Sequence, residues 1–593
     1  MIDSMLQQAE TILKTHFGFS SFRQGQKQTI QHVVQKNNTL AIMPTGGGKS
    51  ICYQIPAMLF SGVTLVISPL ISLMKDQVDS LQAVGISATY INSSLSSEEV
   101  YERIQQIKQG KYKLIYVAPE RFEFDRFVAL IRSLTIELVA FDEAHCISQW
   151  GHDFRPSYRN VVTVLKQLPF QPIFMALTAT ATKEVAADIR QLLNISKEHT
   201  VITGFARNNL SFQVIKGESS HTFLLDYVKQ HHNASGIVYT ATRKETDQLH
   251  ALLLKHGMKV ERYHAGLSEL ERQRAQERFL YDEVGIIVAT NAFGMGIDKS
   301  NVRYVIHMNI PKNIEAYYQE AGRAGRDGEN SECVLLYTPR DIQLQKFFIE
   351  ESTVDESRKA KEYEKLQAMI DYCHTEQCLQ RYILHYFGDV TAADCGTCGN
   401  CKDDRKLEDI TREAQMIFSC IKRMKERFGV TIVAQVLKGS KNKRIQDLKL
   451  SQLSTYGLLS AKTEKEITEL INFLIAENYL GLTDSKYPVV KLKNKAKYVL
   501  IGEKSVYKKA KYESTVFKED DELFQKLRAL RKRISEHEQI PPYIVFSDAT
   551  LKEMCARCPQ DKRTMLLVQG VGETKFEKYG ERFLKEIKSH VET

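Results

Sequence analysis

The chain has 593 residues, of which 43% are hydrophobic and 26% charged, and its net charge is +9. A protein of this length is expected to contain several domains, each able to bury its own core. No apolar run approaches a membrane span, and the first residues lack the regions of a signal peptide, so we expect a cytoplasmic protein without a membrane partner. Eleven cysteines are too few for a disulfide scaffold, and their clustering indicates metal binding in a reducing compartment.

The positive charge is concentrated in one segment. Residues 402–515 contain 24 Lys and Arg against 14 Asp and Glu, so this segment carries +10 and the rest of the chain is about neutral. A local surplus of this kind favours a polyanion-binding surface. A solvated lysine-rich face is the alternative that composition leaves open.

Short β-rich runs alternate with helix-like stretches in two successive series. The first series contains runs at residues 39–43, 63–68, 113–118, 137–142 and 173–178. The second series begins after Gly204 and contains runs at residues 235–240, 259–264, 285–290, 303–308 and 332–337. This alternation predicts two tandem α/β domains, each with a parallel sheet.

Helical patterns replace the strand signal beyond residue 341. A charged helical stretch at 357–374 leads into a cysteine-rich segment. Two helices and a short hairpin in the basic segment indicate a winged helix, with predicted elements at 412–428, 464–477, 479–482 and 489–492. Tyr487, between the arms of the hairpin, is either a strand-separating residue or an ordinary turn residue.

Charged residues then separate the winged helix from a small helical unit. Lys508-Lys509-Ala510-Lys511 and the acidic run 518–522 indicate a linker. The predicted domains are 1–206 and 207–341 for the two α/β domains, 342–408 for the helical cysteine-rich region, 409–515 for the winged helix and 516–593 for the small all-α domain.

A glycine-rich loop follows the first predicted strand. Its residues are Pro44, Thr45, Gly46, Gly47, Gly48, Lys49 and Ser50. Three consecutive glycines have no Cβ, so backbone N–H groups can close around a triphosphate. Lys49 can then reach the outer phosphates, and Ser50 can hold Mg²⁺. Met43 stands where a standard phosphate loop has glycine, which argues against kinases and transport ATPases.

An acidic motif, Asp142-Glu143-Ala144-His145, follows an apolar run at the end of a predicted strand. The Asp142 carboxylate, projecting from the strand end, can meet the Mg²⁺ ion held by Ser50. Glu143 is placed to take a proton from an attacking water. Together the two motifs predict an ATPase.

The second α/β domain contains the sequence Gln319-Glu320-Ala321-Gly322-Arg323-Ala324-Gly325-Arg326. Two arginines three residues apart share one face of a helix, and guanidinium groups suit a γ-phosphate. Only the first domain has a phosphate loop, so we expect nucleotide in the cleft between the domains, with the arginines reaching across. Structural salt bridges are the alternative role for Arg323 and Arg326.

Cysteines cluster in the region before the winged helix. The candidate metal ligands are Cys378, Cys395, Cys398 and Cys401. Two overlapping Cys-x-x-Cys pairs bring three thiolates together, and Cys378 completes a tetrahedral site that favours Zn²⁺. An iron–sulfur cluster and free buried thiols remain alternatives. Cys373 and His374 are not expected to be ligands, and Cys555 and Cys558 are expected to be reduced thiols.

The loop after the acidic motif contains the only tryptophan of the chain. Trp150 and Phe154 lie among polar residues that include His152 and Arg155. Aromatic side chains beside a Mg²⁺-binding carboxylate can stack on nucleic-acid bases. A core position is the alternative for a lone tryptophan.

The order of these motifs resembles the RecQ family of DNA helicases, in superfamily 2, over nearly every residue from Phe17 to His590. Further matching segments lie at residues 68–77, 118–121, 176–181, 263–267 and 289–298, and residues 540–551 resemble the HRDC domain. The resemblance implies two tandem RecA-like parallel-sheet domains of α/β class, a helical zinc-binding region, a winged helix and a small all-α HRDC-like domain.

The resemblance also implies roles around the nucleotide. Gln26 would hydrogen-bond the adenine edge, with Phe19 and Arg23 packing on the ring. Without the resemblance, Gln26 would be interpreted as a surface residue. Asp298 would approach the ribose.

Catalytic, zinc-binding and DNA-binding roles follow in the same way. Arg326 would be the arginine finger that stabilises charge on the departing phosphate, while Arg323 would bind the γ-phosphate and Gln319 would help to place water. The cysteine cluster would hold structural zinc. The residues that would contact DNA are Trp150, His152, Phe154 and Arg155.

The sequence therefore predicts an ATP-dependent DNA helicase that uses ATP, Mg²⁺ and Zn²⁺. By the resemblance, it would translocate 3′→5′ on single-stranded DNA and unwind duplex or forked DNA in repair and recombination. We expect a monomer, nucleoid-associated in a bacterial cell, with single-strand-binding protein and other repair proteins as candidate partners. The rivals are an RNA helicase, since Asp-Glu-Ala-His also occurs in those enzymes, and a non-catalytic DNA-binding scaffold.

Overall fold

The computed structural model divides into two compact units, Met1–Lys508 and Lys509–Thr593. The described residues are 2–151, 153–216, 220–232, 234–294, 299–352, 355–483, 488–510, 522–538, 545–546, 548–568, 571 and 575–591. Within these residues, no helix is both long and apolar enough to cross a bilayer.

The first unit begins with a parallel sheet of seven strands in the order β3-β4-β2-β5-β6-β1-β7. The strands are β1 Thr39–Ile42, β2 Val63–Ile67, β3 Ala88–Ile91, β4 Leu114–Val117, β5 Ile136–Phe141, β6 Ile173–Thr178 and β7 Thr200–Ile202. The helices are α1 Ile2–Phe17, α2 Gln26–Val34, α3 Ile51–Leu59, α4 Ile71–Ala83, α5 Ser97–Lys108, α6 Asp125–Ser133, α7 Pro156–Lys166 and α8 Lys183–Leu192.

The five strands predicted for this sheet are confirmed, and the two outer strands are additional. β3 and β7 have only four and three residues. A run of three residues, as in β7, carries too little periodicity to be recognised in a sequence.

The parallel arrangement brings three motifs to one edge of the sheet. β1 pairs with β6 so that Ile42 lies beside Thr178, and β6 pairs with β5 so that Ala176 lies beside Phe141. The carboxyl ends of parallel strands share an edge, where ligands bind in open α/β sheets. The phosphate loop, the acidic motif and the segment 176–181 therefore meet there.

A second sheet of six strands follows, in the order β10-β11-β9-β12-β13-β8. Its strands are β8 Leu210–Lys216, β9 Ser235–Tyr239, β10 Val260–Tyr263, β11 Ile286–Ala289, β12 Val302–His307 and β13 Ser331–Tyr337. Its helices are α9 Ser220–Gln230, α10 Arg243–Lys255, α11 Glu269–Leu280, α12 Ile314–Ala321 and α13 Pro339–Glu351. The five predicted strands are confirmed, and β8 is an additional, half-exposed edge strand.

Helices dominate the rest of the first unit. They are α14 Glu356–His374, α15 Leu379–Tyr386, α16 Gly399–Lys402, α17 Thr411–Arg423, α18 Val430–Lys438, α19 Lys443–Asp447, α20 Glu464–Ala476 and α21 Asn494–Leu500. The short strands are β14 Leu407–Asp409, β15 Leu480–Leu482, β16 Val490–Leu492 and β17 Tyr507–Lys509. A buried cluster joins the two large sheets to α15, where the rings of Phe205 and Phe387 stack with centroids 4.7 Å apart.

The basic segment contains the predicted hairpin, because β15 and β16 pair in antiparallel register. Tyr487 lies outside the described residues. Lys508 and Lys509, which the sequence assigns to a linker, lie in the short strand β17, and the boundary between the two compact units falls between them. That strand pairs with β14 and closes the basic domain. A strand of three residues rich in lysine resembles a linker in sequence.

The second unit is a small helical domain. Its helices are α22 Glu522–Glu538, α23 Asp548–Arg557, α24 Lys562–Met565 and α25 Glu581–Val591, with a π-helical turn at Phe576–Gly580. A buried cluster around Leu527, Phe546 and Phe583 holds it together. The Cys558 thiol donates a hydrogen bond of 3.0 Å to the carbonyl oxygen of Cys555, which agrees with the expectation that both are reduced thiols.

We expect Gly236→Ala to destabilise the second sheet. A Cβ at Gly236 would lie 1.9 Å from the ring of Tyr304 on the neighbouring strand, and that ring is buried. Overpacking of this kind costs about 1–3 kcal/mol, so the melting temperature of the variant should fall. At Gly285, the nearest atom to an added Cβ is the Ala234 carbonyl oxygen, 3.7 Å away. The Gly285→Ala variant should therefore have the melting temperature of the wild type. Equal melting temperatures for the Gly236→Ala and Gly285→Ala variants would contradict this packing.

Candidate active site between the two sheets

The phosphate loop connects β1 to α3 and depends on its glycines. Gly46 and Gly48 have φ angles of 80° and 73°, in the left-handed region that glycine adopts without strain. A Cβ at Gly48 would also lie 2.4 Å from the side-chain nitrogen of Gln26. Ser50 lies at the N-cap of α3, so the loop and the free amides of the helix start can together bind phosphate.

Lys49 points into this loop. Its Nζ lies 3.4 Å from the carbonyl oxygen of Met43 and 3.5 Å from that of Pro44. Burial lowers the pKa of Lys49, and the nearby carboxylates of Glu143 and Asp142 oppose that shift. A half-buried lysine whose ammonium group makes only weak carbonyl contacts is suited to bind a phosphate group.

Asp142 follows β5 directly and faces Lys49. Burial, together with the charge of Glu143, raises the pKa of Asp142 to about 7. Ser50 lies at the start of α3, in the same phosphate loop as Lys49. A carboxylate and a hydroxyl are oxygen donors that Mg²⁺ accepts, and a divalent cation would favour the ionised form of Asp142. The residues therefore fit Mg²⁺ binding.

Glu143 is held in the ionised form by its neighbours. Burial alone would raise its pKa, but the hydrogen bond and charge of His145, with the charge of Lys49, lower it to about 2. His145 Nδ1 lies 3.3 Å from Glu143 Oε2 and 3.0 Å from Thr178 Oγ1. Glu143 has a φ of 46°, a conformation rare for a residue with a side chain and often found at functional sites.

The second domain brings its arginine motif to the phosphate loop. A Cβ at Gly46 would lie 3.7 Å from the Cα and the carbonyl oxygen of Arg326. The charge of Arg326 also contributes to the lowered pKa of Lys49. Arg323 is buried, and its charge helps to lower the pKa of Glu143.

Gln319 contacts the first domain directly. Its side-chain nitrogen donates a hydrogen bond of 3.0 Å to Thr180 Oγ1. Thr180 lies in the segment that also contains Thr178, the partner of His145. The acidic motif, the segment 176–181 and the arginine motif thus form one connected set of polar groups.

Arg207 joins the same elements and was missed by the sequence analysis, where it appeared only as a domain boundary. Its guanidinium group donates to the carbonyl oxygen of Thr45 at 2.8 Å. The same group donates to the carbonyl oxygens of Gly322, Ala324 and Gly325 at 3.2, 3.0 and 2.8 Å. Every residue type has a backbone carbonyl, so an arginine that binds carbonyls cannot be recognised from the sequence of its partners.

The predicted adenine-binding residues lie beside the phosphate loop. Gln26 is only 3% exposed, so its interpretation as a surface residue was wrong. Its Nε2 donates to the Gly48 carbonyl oxygen at 2.9 Å, and its Oε1 accepts from the Arg23 amide at 2.8 Å. The Arg23 guanidinium donates to the Gly46 carbonyl oxygen, and Phe19 is exposed. Contact with adenine stays a prediction for these residues. Asp298 lies outside the described residues.

The aromatic loop after the acidic motif is partly exposed. Trp150 is 39% exposed, so the alternative of a core tryptophan was wrong. The Arg358 guanidinium lies 5.1 Å from the centroid of the Phe154 ring. Arg155 pairs with Asp153 at 3.2 Å and also donates to a backbone carbonyl. DNA contact stays a prediction for these residues, and His152 lies outside the described residues.

The four predicted cysteine ligands come together. The sulfur atoms of Cys378, Cys395, Cys398 and Cys401 all lie within 4.8 Å of one another. Backbone amides of Arg381 and Cys395 donate to the Cys378 sulfur, at 3.4 and 3.2 Å. Such donors stabilise thiolates, and four thiolates at this spacing fit tetrahedral Zn²⁺. The alternative of unrelated buried thiols does not explain this convergence.

The loop just before Cys378 connects the region of the cysteine cluster to the basic domain. The side-chain nitrogen of Asn400 donates to the carbonyl oxygens of Thr375 and Gln377, just before Cys378, at 2.9 and 2.7 Å. On the other side, Glu477 of the basic domain accepts from the Thr375 hydroxyl at 2.9 Å and from the Gln377 side chain at 3.1 Å. The loop of residues 375–377 is thus bound by Asn400 on one side and by Glu477 on the other.

Comparison with known families matches five successive regions of the chain. They are a DEAD/DEAH box helicase region at 23–189, a helicase conserved C-terminal domain at 219–328, a RecQ zinc-binding region at 339–402, an RQC domain at 404–515 and an HRDC domain at 520–587.

Relatives match over almost the whole chain. The ATP-dependent DNA helicase RecQ of Bacillus subtilis is 53% identical over 587 residues, which cover 99% of each protein. The enzyme of the same name from Pasteurella multocida is 41% identical over 98% of this chain and 94% of its own length. This chain belongs to the RecQ helicase family. The RecQ zinc-binding region contains all four clustered cysteines, which supports Zn²⁺ over an iron–sulfur cluster.

We expect Cys398→Ser to remove zinc and Cys373→Ser to retain it. Cys398 belongs to the sulfur cluster, whereas Cys373 is a buried cysteine of α14 that is not among the four. Metal analysis of the purified variants should give about one zinc ion per chain for Cys373→Ser and close to none for Cys398→Ser. Full zinc content in Cys398→Ser would contradict the assignment.

Proposed function

We propose that the chain is an ATP-dependent DNA helicase that moves 3′→5′ along single-stranded DNA and unwinds duplex or forked DNA in repair and recombination. One observation carries the proposal. Arg326 of the second α/β domain lies against Gly46, in the phosphate loop of the first domain. ATP hydrolysis at such an interface can open and close the cleft between the two domains. In this way a chemical step can drive movement along a DNA strand. The names of the RecQ relatives support DNA as the substrate.

The phosphate loop would hold the triphosphate of ATP. Backbone amides of Gly46, Gly47 and Gly48 would bind the phosphates, and Lys49 would neutralise their charge. Ser50 and Asp142 would hold Mg²⁺, which supplies positive charge to the phosphate oxygens. In this structure the Thr45 carbonyl oxygen accepts a hydrogen bond from Arg207.

Three side chains would act on the terminal phosphate together with Glu143. Glu143, held ionised by His145, would orient the attacking water and accept its proton. Gln319 would help to place that water, and Arg323 would bind the γ-phosphate. Arg326 would stabilise the charge that develops as the terminal phosphate departs.

The hydrogen bonds around Thr178 and Thr180 offer a route from the phosphate to the domain interface. His145 contacts both Glu143 and Thr178, while Gln319 donates to Thr180. A change in the charge near Glu143 therefore alters groups that connect the two domains. We infer that release of phosphate weakens this connection and lets the cleft open.

DNA would lie across both α/β domains, bound mainly through phosphates. Trp150, His152, Phe154 and Arg155 would contact it near the ATP site, and residues 402–515, with their surplus of +10, would hold the duplex. We propose that the protein acts as a monomer in the cytoplasm, associated with the nucleoid. Single-strand-binding protein and other repair proteins are its proposed partners.

The two rivals make different predictions. An RNA helicase would hydrolyse ATP faster with RNA than with DNA, whereas we expect the stronger stimulation with single-stranded DNA. A non-catalytic scaffold would not hydrolyse ATP. The convergence of Lys49, Asp142, Glu143 and Arg326 on one site argues against a scaffold.

Strand displacement on forked DNA tests the proposal. With ATP and Mg²⁺, the protein should separate substrates with a 3′ tail and leave those with only a 5′ tail intact. Lys49→Ala should lower ATP turnover by about 100-fold or more, because it removes a preorganised charge at the phosphates, and should spare DNA binding.

Lys166→Ala is the matched control, since Lys166 is an exposed lysine on α7 of the same domain. This variant should turn over ATP like the wild type. Unwinding from a 5′ tail would overturn the proposed direction, and unchanged turnover in Lys49→Ala would overturn the catalytic assignment.

A further inference from the structure

The helix α14 presents a row of basic side chains to the first α/β domain. Arg358, Lys361 and Lys365 are spaced by three and four residues, so they share one face of the helix. Arg358 lies over the ring of Phe154, and Lys361 pairs with Glu184 at 3.4 Å. The Lys365 ammonium donates a hydrogen bond of 3.0 Å to the backbone carbonyl oxygen of Trp150. The aromatic loop therefore rests on this helix.

Lys365 also reaches the second α/β domain. Its Nζ lies 3.2 Å from Glu315 Oε1, and the two side chains are only 7% and 3% exposed. The neighbouring hydroxyl of Tyr386 has its pKa raised by burial and by the charge of Glu315. Two charges are seldom taken out of water together without a specific role, because desolvation offsets most of their attraction.

Glu315 stands in the first turn of α12, the helix that carries Gln319 and leads into the two arginines. Asn313 caps this helix by accepting a hydrogen bond from the Ala316 amide at 2.9 Å. Gln319 lies one turn further along, and Arg323 and Arg326 follow directly after the helix ends at Ala321. A helix of eight residues is about 12 Å long and moves as one body.

We propose that Lys365 is a positioning residue that couples DNA contact at the aromatic loop to the placement of Gln319, Arg323 and Arg326. This inference rests on the proposed helicase function. A base that stacks on Trp150 shifts the backbone of the loop. The hydrogen bond from the Lys365 ammonium to the Trp150 carbonyl then shortens or lengthens, and the ammonium moves with it. Because Lys365 is paired with Glu315, this movement also displaces Glu315 and the start of α12. DNA therefore changes the rate of hydrolysis through the catalytic motif, with little change in ATP binding.

The test compares Lys365→Met with Lys361→Met. Methionine keeps much of the length of the side chain and removes its charge in both variants. Lys361 lies on the same face of α14, but it pairs with Glu184 and Glu364 rather than with α12. ATP turnover would be measured with and without a single-stranded oligonucleotide, alongside the KM for ATP, DNA affinity, zinc content and melting temperature.

We expect the DNA-stimulated kcat of Lys365→Met to fall by about 10-fold, which corresponds to the loss of one coupling interaction. The basal rate, the KM for ATP and DNA affinity should change much less. Lys361→Met should keep its stimulation. Lys365→Arg should recover part of it, because arginine can still bind both the carbonyl oxygen and the carboxylate.

A double variant separates coupling from folding. Lys365→Met leaves Glu315 buried without its lysine, so the single variant can lose stability, and Glu315→Gln in the same chain removes that charge. Lys365→Met/Glu315→Gln should melt near the wild type and still respond weakly to DNA. Normal stimulation in either the single or the double variant would overturn the proposal. A wild type that hydrolyses ATP without any response to DNA would instead overturn the proposed function.

Discussion

The candidate active site depends on one guanidinium group, that of Arg207, which forms hydrogen bonds with both α/β domains. Arg207 donates to the Thr45 carbonyl oxygen in the phosphate loop and to those of Gly322, Ala324 and Gly325 in the arginine motif. Backbone carbonyls cannot move independently of their chain, so these bonds fix the position of one loop relative to the other. A planar guanidinium can bind several carbonyls at once, which lysine cannot do with the same geometry. Arg207 therefore helps to hold the arginine motif beside the phosphate loop, together with the buried cluster that the two sheets share.

Two further connections bear on how the domains communicate. Near the phosphates, Gln319 donates to Thr180 on the opposite domain. Farther away, Lys365 joins the backbone of Trp150 to Glu315, at the start of the helix that carries Gln319. The helical zinc-binding region is therefore more than a spacer. It contributes a basic helix face against the aromatic loop, and its cysteine cluster holds the loop that binds the basic domain.

Most of the site could be predicted because its chemistry is local in sequence. Three glycines before Lys49, a carboxylate at a strand end and Cys-x-x-Cys pairs each fall within a few residues, and parallel topology brings strand ends together. What could not be predicted depends on partners far apart in the chain. Arg207 binds carbonyls more than a hundred residues away, and Gln26 is buried only because the phosphate loop folds over it. The strands β3, β7 and β8, which lie at edges of their sheets, were also missed.

We propose that ATP is hydrolysed at the interface between the two α/β domains, to which the second domain contributes Arg326. The most direct test is ATP turnover by Arg326→Ala, with nucleotide affinity measured on the same protein and Arg340→Ala as the control, since Arg340 is an exposed arginine of the same domain. Nucleotide should still bind to Arg326→Ala, while kcat should fall by about 100-fold or more at saturating ATP. Turnover by Arg326→Ala equal to that of Arg340→Ala would contradict this proposal.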